Sequence, residues 1–271
     1  GAAAASVGLG AFPAVLRAQS RTIKIGMVEP VSGPMADVGQ DSRLGAQIAV
    51  DDINAAGGIK SLGGAKIELM TADSQTKVEI ARAEAERLIN AGAQLLTGAF
   101  HSAHVATIAP LAQQRRIPYI IIMGVISPGA PGLYETRQIQ QLKDLIEYVM
   151  DATVYANYRK PETQRVAAEF AKRSGGRNFD ASASYPYDAI QVIADVLERA
   201  ASTDPDAIVG AIKKTNFGGG LSVSSGPIVF NETGDNPNAS TAMLQVLAQK
   251  TRVVWPKDVA EQRFVFPRPK V

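Results

Sequence analysis

The 271-residue chain has no cysteine, two histidines and one tryptophan. Without cysteine there is no disulfide, no thiolate metal site, no cysteine nucleophile and no lipid anchor on a cysteine. A dominant charge is missing too: the net charge is +2, and acidic and basic residues are mixed throughout. No basic stripe with interleaved aromatics occurs, so nucleic acid is not an expected partner. No Gly-x-Gly-x-x-Gly follows the first strand-like run and no Gly-Lys-Ser/Thr phosphate loop is present, so dinucleotide or nucleotide chemistry is not indicated. The nearest approach to a serine-hydrolase elbow is Gly220-Leu221-Ser222-Val223-Ser224. It lacks the final glycine, and no histidine follows it. No repeat of solenoid period is found.

What is present is enough apolar sequence, 46% of the chain, to bury one large core or two modest ones. Residues 1–16 (GAAAASVGLGAFPAVL) are small and apolar, are interrupted by Pro13, and run into Leu16-Arg17-Ala18-Gln19. They look like the apolar region and cleavage site of a secretory signal. The run is too short and glycine-rich for a membrane span. We therefore expect residues 1–20 to be a signal remnant, a periplasmic location, and no span in the mature chain.

From residue 22 onward, strand and helix patterns alternate. Residues 22–28 (TIKIGMV) read as a strand and residues 29–39 (EPVSGPMADVG) as a loop. A helix is predicted over 40–55, with Ala46, Ala49, Val50 and Ile53 on one face. Residues 65–72 read as a second strand, with Asp73 to Thr76 as a cap and turn behind it. A helix over 77–90 follows, then a strand over 95–98, a helix from about Ser102 to Arg116, and a fourth strand over 117–122. Strands joined through helical crossovers give a parallel sheet covered on both faces.

The rhythm breaks at 117–126 (IPYIIIMGVI), nearly continuous apolar sequence with no helix between two strand-like halves. A parallel pair needs a crossover of about a dozen residues. Beyond it, a strand is predicted near 148–154, and helices over 161–174, 184–201 and 205–214. The tail reads as antiparallel strands, 226–230 and 243–248, flanking the polar loop 231–235.

The stretch from Leu95 to Val105 (LLTGAFHSAHV) organises the chain. It reads as a buried strand, a tight glycine turn and a helix whose inner face carries Val105, Ile108, Ala109 and Ala112. A helix beginning near Ser102 leaves its first N–H groups unpaired and aimed at the crevice beyond the strand ends. That suits an anion or a carboxylate, with the Ser102 hydroxyl as a further donor. The plainer alternative is that Ser102 only caps the helix.

These residues carry a resemblance. Ile23-Lys24-Ile25-Gly26, Ser32-Gly33-Pro34 and the helix exit Asp51-Asp52-Ile53-Asn54-Ala55-Ala56-Gly57-Gly58-Ile59 are similar to the opening of the type I periplasmic solute-binding proteins. Residues 69–73, 98–104, 116–120, 123–132, Tyr187-Asp188-Ala189 and 226–230 continue the match. The group it most resembles is the leucine/isoleucine/valine-binding family, which includes receptors for amides, urea and aromatic acids. The resemblance implies an α/β protein of two Rossmann-like lobes, with parallel sheets flanked by helices, closing on a small solute. Lobe one would be residues 21–122, and residues 123–271 a partial lobe two with hinge crossings and C-terminal strands. The strand–helix units that family members place before the segment resembling Met123 onward have no counterpart here, so lobe two is expected to be incomplete.

The family's carboxylate-binding serine aligns with Ser102. Its aromatic loop position aligns with Val38, so a stacking contact is missing. The acidic residue that holds a ligand ammonium would fall near Ile126 or Ser127, neither acidic. That favours a carboxylate or amide without an ammonium group. Ser102 and Ala103 are expected to take the carboxylate, with Phe100, His101, Val38, Ser127 and Tyr187 shaping the pocket. His101 and His104, at i and i+3, have no nearby third ligand to complete a metal site, and neither metal nor cofactor is expected. The expected function is a monomeric, non-enzymatic solute receptor that partners the membrane permease of an ABC importer. The alternative is a sensory or regulatory ligand-binding protein of the same fold.

Overall fold

The computed structural model describes residues 22–99, 101–121, 136–267 and 269. Its centre is a parallel sheet of β1 (Thr22–Glu29), β2 (Lys66–Asp73) and β3 (Leu95–Gly98) in the order β2-β1-β3. Ile25 is level with Leu69 on one side and Leu95 on the other. The predicted fourth strand is reduced to one parallel bridge, Leu96 to Tyr119. Pro118 puts its carbonyl on the Leu96 N–H but, lacking an N–H, cannot continue the ladder.

Alternation along β1 divides the core in two. Ile23, Ile25 and Met27 face a cluster shared with α1 (Ala36–Ala55), α5 (Pro161–Ser174), α6 (Ala181–Ala200) and α7 (Pro205–Ile212). Val28 faces the other way, with Leu96, onto α2 (Val78–Asn90) and α3 (Ser102–Gln114). Helices thus cover both faces, as the alternating pattern requires. α6 and α7 follow the predicted boundary at 122/123 in sequence but share the core of β1 and α1.

α1 starts four residues earlier than its periodicity indicates. Gly39, read as part of the loop, lies inside the helix, where a Cβ would sit 2.1 Å from the Pro30 carbonyl oxygen. α6 also starts early, because Asp180 caps it by accepting from the Ser182 N–H. Asp204 caps α7 on the Asp206 and Ala207 N–H groups at 3.0 and 3.1 Å. Asp204→Ala is expected to lower stability by about 1 kcal/mol, read as a fall of about 2–4 °C in Tm.

The second sheet is antiparallel, in the order β4-β7-β8 with β4 (Met150–Thr153), β7 (Ala242–Leu247) and β8 (Lys250–Trp255). α4 (Thr136–Leu142) and a single 3-10 turn precede it. The predicted pairing of 226–230 with 243–248 does not form. β6 (Ile228–Val229) pairs with β5 (Asn216–Phe217), and β7 turns directly into β8. Ala248 and Gln249, both at positive φ (51° and 59°), make that two-residue turn, the conformation a tight hairpin requires. Among the described residues no helix is long and apolar enough to cross a membrane.

Candidate functional site

The C-terminal ends of β1, β2 and β3 meet the first turns of α1 and α3, the end of a parallel sheet where ligands bind. Asp73, at the end of β2, organises this edge. Its Oδ1 accepts from the N–H groups of Val31, Ser32 and Gln75 at 3.0, 3.3 and 2.8 Å, and Oδ2 accepts the Ser32 hydroxyl at 2.6 Å. Burial pushes this carboxyl up, but the Ser32 hydroxyl and three backbone donors together hold it below the usual carboxylate range. The sequence reading gave Asp73 to Thr76 a capping role. Instead Lys77 is the N-cap of α2 and no side chain caps it, because Asp73 is committed to the β1–α1 loop. Thr76 adds a second tie, donating its hydroxyl to the Ser32 carbonyl.

At the end of β1, Glu29 is buried and accepts the Ser42 hydroxyl at 2.8 Å. Gly98 passes beside it at φ +85°, and a Cβ there would come within 3.0 Å of Glu29 Oε1. Glycine fits this close approach at a positive φ. Tyr119 donates its hydroxyl to the Gly98 carbonyl at 3.0 Å. Burial foremost, then the Glu29 charge, push that phenol far above its ordinary pKa.

α3 begins as the spacing predicts, at Ser102, but the N-cap is His101, in extended conformation and with no side-chain cap. The His101 carbonyl accepts from the His104 and Val105 N–H groups at 2.9 and 3.2 Å. Among the described residues, the N–H groups of Ser102 and Ala103 have no acceptor. The Ser102 side chain is exposed and makes no cap, so the simple capping role does not hold. Two backbone donors and a hydroxyl thus stand at the positive end of a 13-residue helix.

His101, Ser102 and Ala103 are therefore brought together, and Val38, half-buried in the first turn of α1, lies at the same end of the sheet. Phe100 and Ser127 lie outside the described residues, as do residues 1–20 and 122–126. Tyr187 does not join the group. It is buried in the α1–α6 seam and donates its hydroxyl to Asp52 at 3.0 Å. Asp52 is 16 residues along α1 from Ala36, about 24 Å from the strand-end edge at 1.5 Å per residue. Burial, then the Asp52 charge, push this phenol up as well.

The sequence reading missed Asp73 as the loop's organiser and His104 as a buried side chain. An aspartate just after a strand signals the first only ambiguously, and nothing local signals the second. A separate cavity of about 200 Å³ is lined by Ile121, Lys160, Tyr185, Asp188, Phe217 and Asp235 among others, and by none of the sequence-predicted site residues. Among the described residues no group of three or more metal-ligating side chains is placed together.

The fold has the architecture of type I periplasmic binding proteins. Residues 22–132 match the family model described as "Periplasmic binding protein". The Leu/Ile/Val-binding protein homolog 8 of Brucella abortus is 29% identical over 180 residues, 64% of this chain and 43% of that relative. Homolog 7 of the same organism is 35% identical over 116 residues, 42% of this chain and 27% of the relative. The aligned part thus spans less than half the length of these curated relatives. Among solved structures, a leucine binding protein, LivK, from Thermotoga maritima superimposes with a TM-score of 0.68 at 17% identity, covering 86% of this chain and 97% of that one. The branched-chain amino acid transporter substrate binding protein LivJ of Streptococcus pneumoniae, in complex with isoleucine, gives 0.67 at 14%, covering 87% and 100%. A solute binding protein of an ABC transporter from R. palustris, in complex with benzoate, gives 0.67 at 12%, covering 86% and 95%. The resemblance to the leucine/isoleucine/valine-binding family is borne out by these matches, and the fold is that of the solute-binding structures.

Proposed function

We propose that this chain is the extracytoplasmic solute receptor of an ABC importer and binds a small carboxylate, amino-acid-like or aromatic, at the start of α3. The observation that carries the reading is the pair of N–H groups at Ser102 and Ala103, open among the described residues, beside an exposed Ser102 side chain. A carboxylate there accepts from both amides and the hydroxyl. A solute that also touches the facing half of the molecule favours the closed form by its differential affinity, and a permease reads that form. Isoleucine and benzoate in the two structural neighbours support a carboxylate. The absence of an acidic residue at Ile126 and Ser127 favours one without an ammonium group.

The test is a thermal-shift screen with L-leucine, L-isoleucine, benzoate, 3,4-dihydroxybenzoate, acetamide and urea. A ligand that binds the folded state raises Tm by mass action. At least one carboxylate is expected to do so. Ser102→Ala should weaken it about 10- to 100-fold through loss of one hydrogen bond to a charged group. A panel with no responding carboxylate, or a Ser102→Ala variant that binds unchanged, overturns the reading.

A further inference from the structure

The first turn of α3 carries the chain's only two histidines, and their rings lie against each other with centroids 4.8 Å apart. His104 is fully buried, and apart from the Thr76 backbone neither of its ring nitrogens meets a partner among the described residues. His101, half-buried at the N-cap, also keeps its Nδ1 buried and unpartnered. Buried polar groups are nearly always satisfied, so poorly partnered imidazole nitrogens gathered at one helix start need a reason.

We infer that His101 and His104 form a proton-accepting pair completed by the ligand: a carboxylate seated on the Ser102 and Ala103 N–H groups draws one proton from solvent onto the pair. His101, the member that reaches the surface, then faces the anion as a cation, and His104 behind it is the positioning residue. The inference rests on the carboxylate reading above and adds the charge state in which that carboxylate binds.

The surroundings disfavour charge on His104 when the site is empty. Burial foremost, then the nearness of His101, hold His104 below the ordinary histidine range, while the Thr76 carbonyl and the Glu79 charge on α2 oppose the shift without reversing it. Of the other charged groups on the packed elements, Lys77 at the start of α2 is exposed. β3 has no ionisable side chain, Tyr119 has its hydroxyl on Gly98, and Arg82 of α2 donates to the Thr107 carbonyl. Asp73 and Glu29, at the neighbouring strand ends, are engaged by Ser32 and Ser42. A bound carboxylate supplies the compensating negative charge that the pair lacks when the seat is empty.

With two histidines in the chain, imidazole NMR gives two titration curves. They should be recorded with and without saturating benzoate, and again with L-isoleucine. One apparent pKa of the pair is expected to rise by more than a unit on binding, and affinity to climb up to about tenfold per pH unit as pH falls through that window. Calorimetry in two buffers of different ionisation enthalpy should show net proton uptake. His101→Gln should bind with a flat pH profile. His104→Gln should keep binding but shift the midpoint of that profile, a readout that packing alone does not move. Histidine curves unmoved by a carboxylate that binds, or a slope that survives His101→Gln, overturn the inference and leave the Ser102 site standing. If no carboxylate of the panel binds at any pH, both readings fall together.

Discussion

Gly45→Val is expected to lower stability by about 3 kcal/mol or more, the upper end of what overpacking produces. Gly45 sits mid-α1, where α6 crosses closest. A Cβ would stand 2.1 Å from the Ala183 carbonyl oxygen, 2.8 Å from its carbonyl carbon and 2.9 Å from its Cα. All three are backbone atoms, so no rotamer relieves the clash and the helices must part. Parting them opens the seam that buries Ala46, Ala49, Tyr187 and Ile190. The chain supplies its own control in Gly210, inside α7, with nothing within 4 Å of its would-be Cβ. Gly210→Ala should instead stabilise by about 0.5–1 kcal/mol, since alanine is the better helix former. Urea unfolding of the two variants beside the parent checks both signs. A Gly45→Val midpoint equal to the parent's would mean that α1 and α6 do not pack as described.

The same glycine shows where sequence reading stops. Gly39 and Gly45 both lie within α1, and each is there because another backbone comes close, from Pro30 and from Ala183. A glycine admitted for close approach looks the same in sequence as one that breaks a helix, so the start of α1 was misplaced. β1, α2, α3 and α5 were legible because alternation or 3.6-residue spacing is local information. The Ala248–Gln249 turn was not, since it adopts the two positive φ values without the Asn-Gly that usually announces them. β8 therefore went unpredicted, and β7 was given the wrong partner.

The site divides in the same way. Ser102 and Ala103 could be placed from the strand–turn–helix pattern alone, because helix starts leave open N–H groups wherever they occur. Tyr187 could not: its hydroxyl is fixed by Asp52, 135 residues earlier in the chain. Asp73 likewise acts on Val31 and Ser32, about forty residues away. The first contact exists only once α1 and α6 have packed, the second only once β1 and β2 have paired.

Between pH 4 and pH 7, Asp188→Asn should gain on the parent protein by about 3 kcal/mol, because α6 buries the Asp188 carboxyl completely. Burial pushes this group up to about 6, against donation from the Leu221 and Ser222 N–H groups, the Ser222 hydroxyl and the charge of Lys160. In the unfolded chain the same carboxyl ionises near 3.8. Below that value both states hold the proton. Between about 4 and 6 the native state holds a proton that the unfolded state has released, so the stability fully present below 4 falls across this range and is gone above 6. Asparagine has the shape of the protonated acid and no proton to lose, so the variant skips that loss. The buried Asp180 at the α6 N-cap, also pushed up, titrates in both proteins and cancels from the difference. At about 2–4 °C per kcal/mol, the Tm gap should widen in the variant's favour by about 6–12 °C across the range. If the variant instead loses ground above pH 6, the three donors and Lys160 outweigh burial, and the ionised carboxylate is what holds the 217–226 loop against α6.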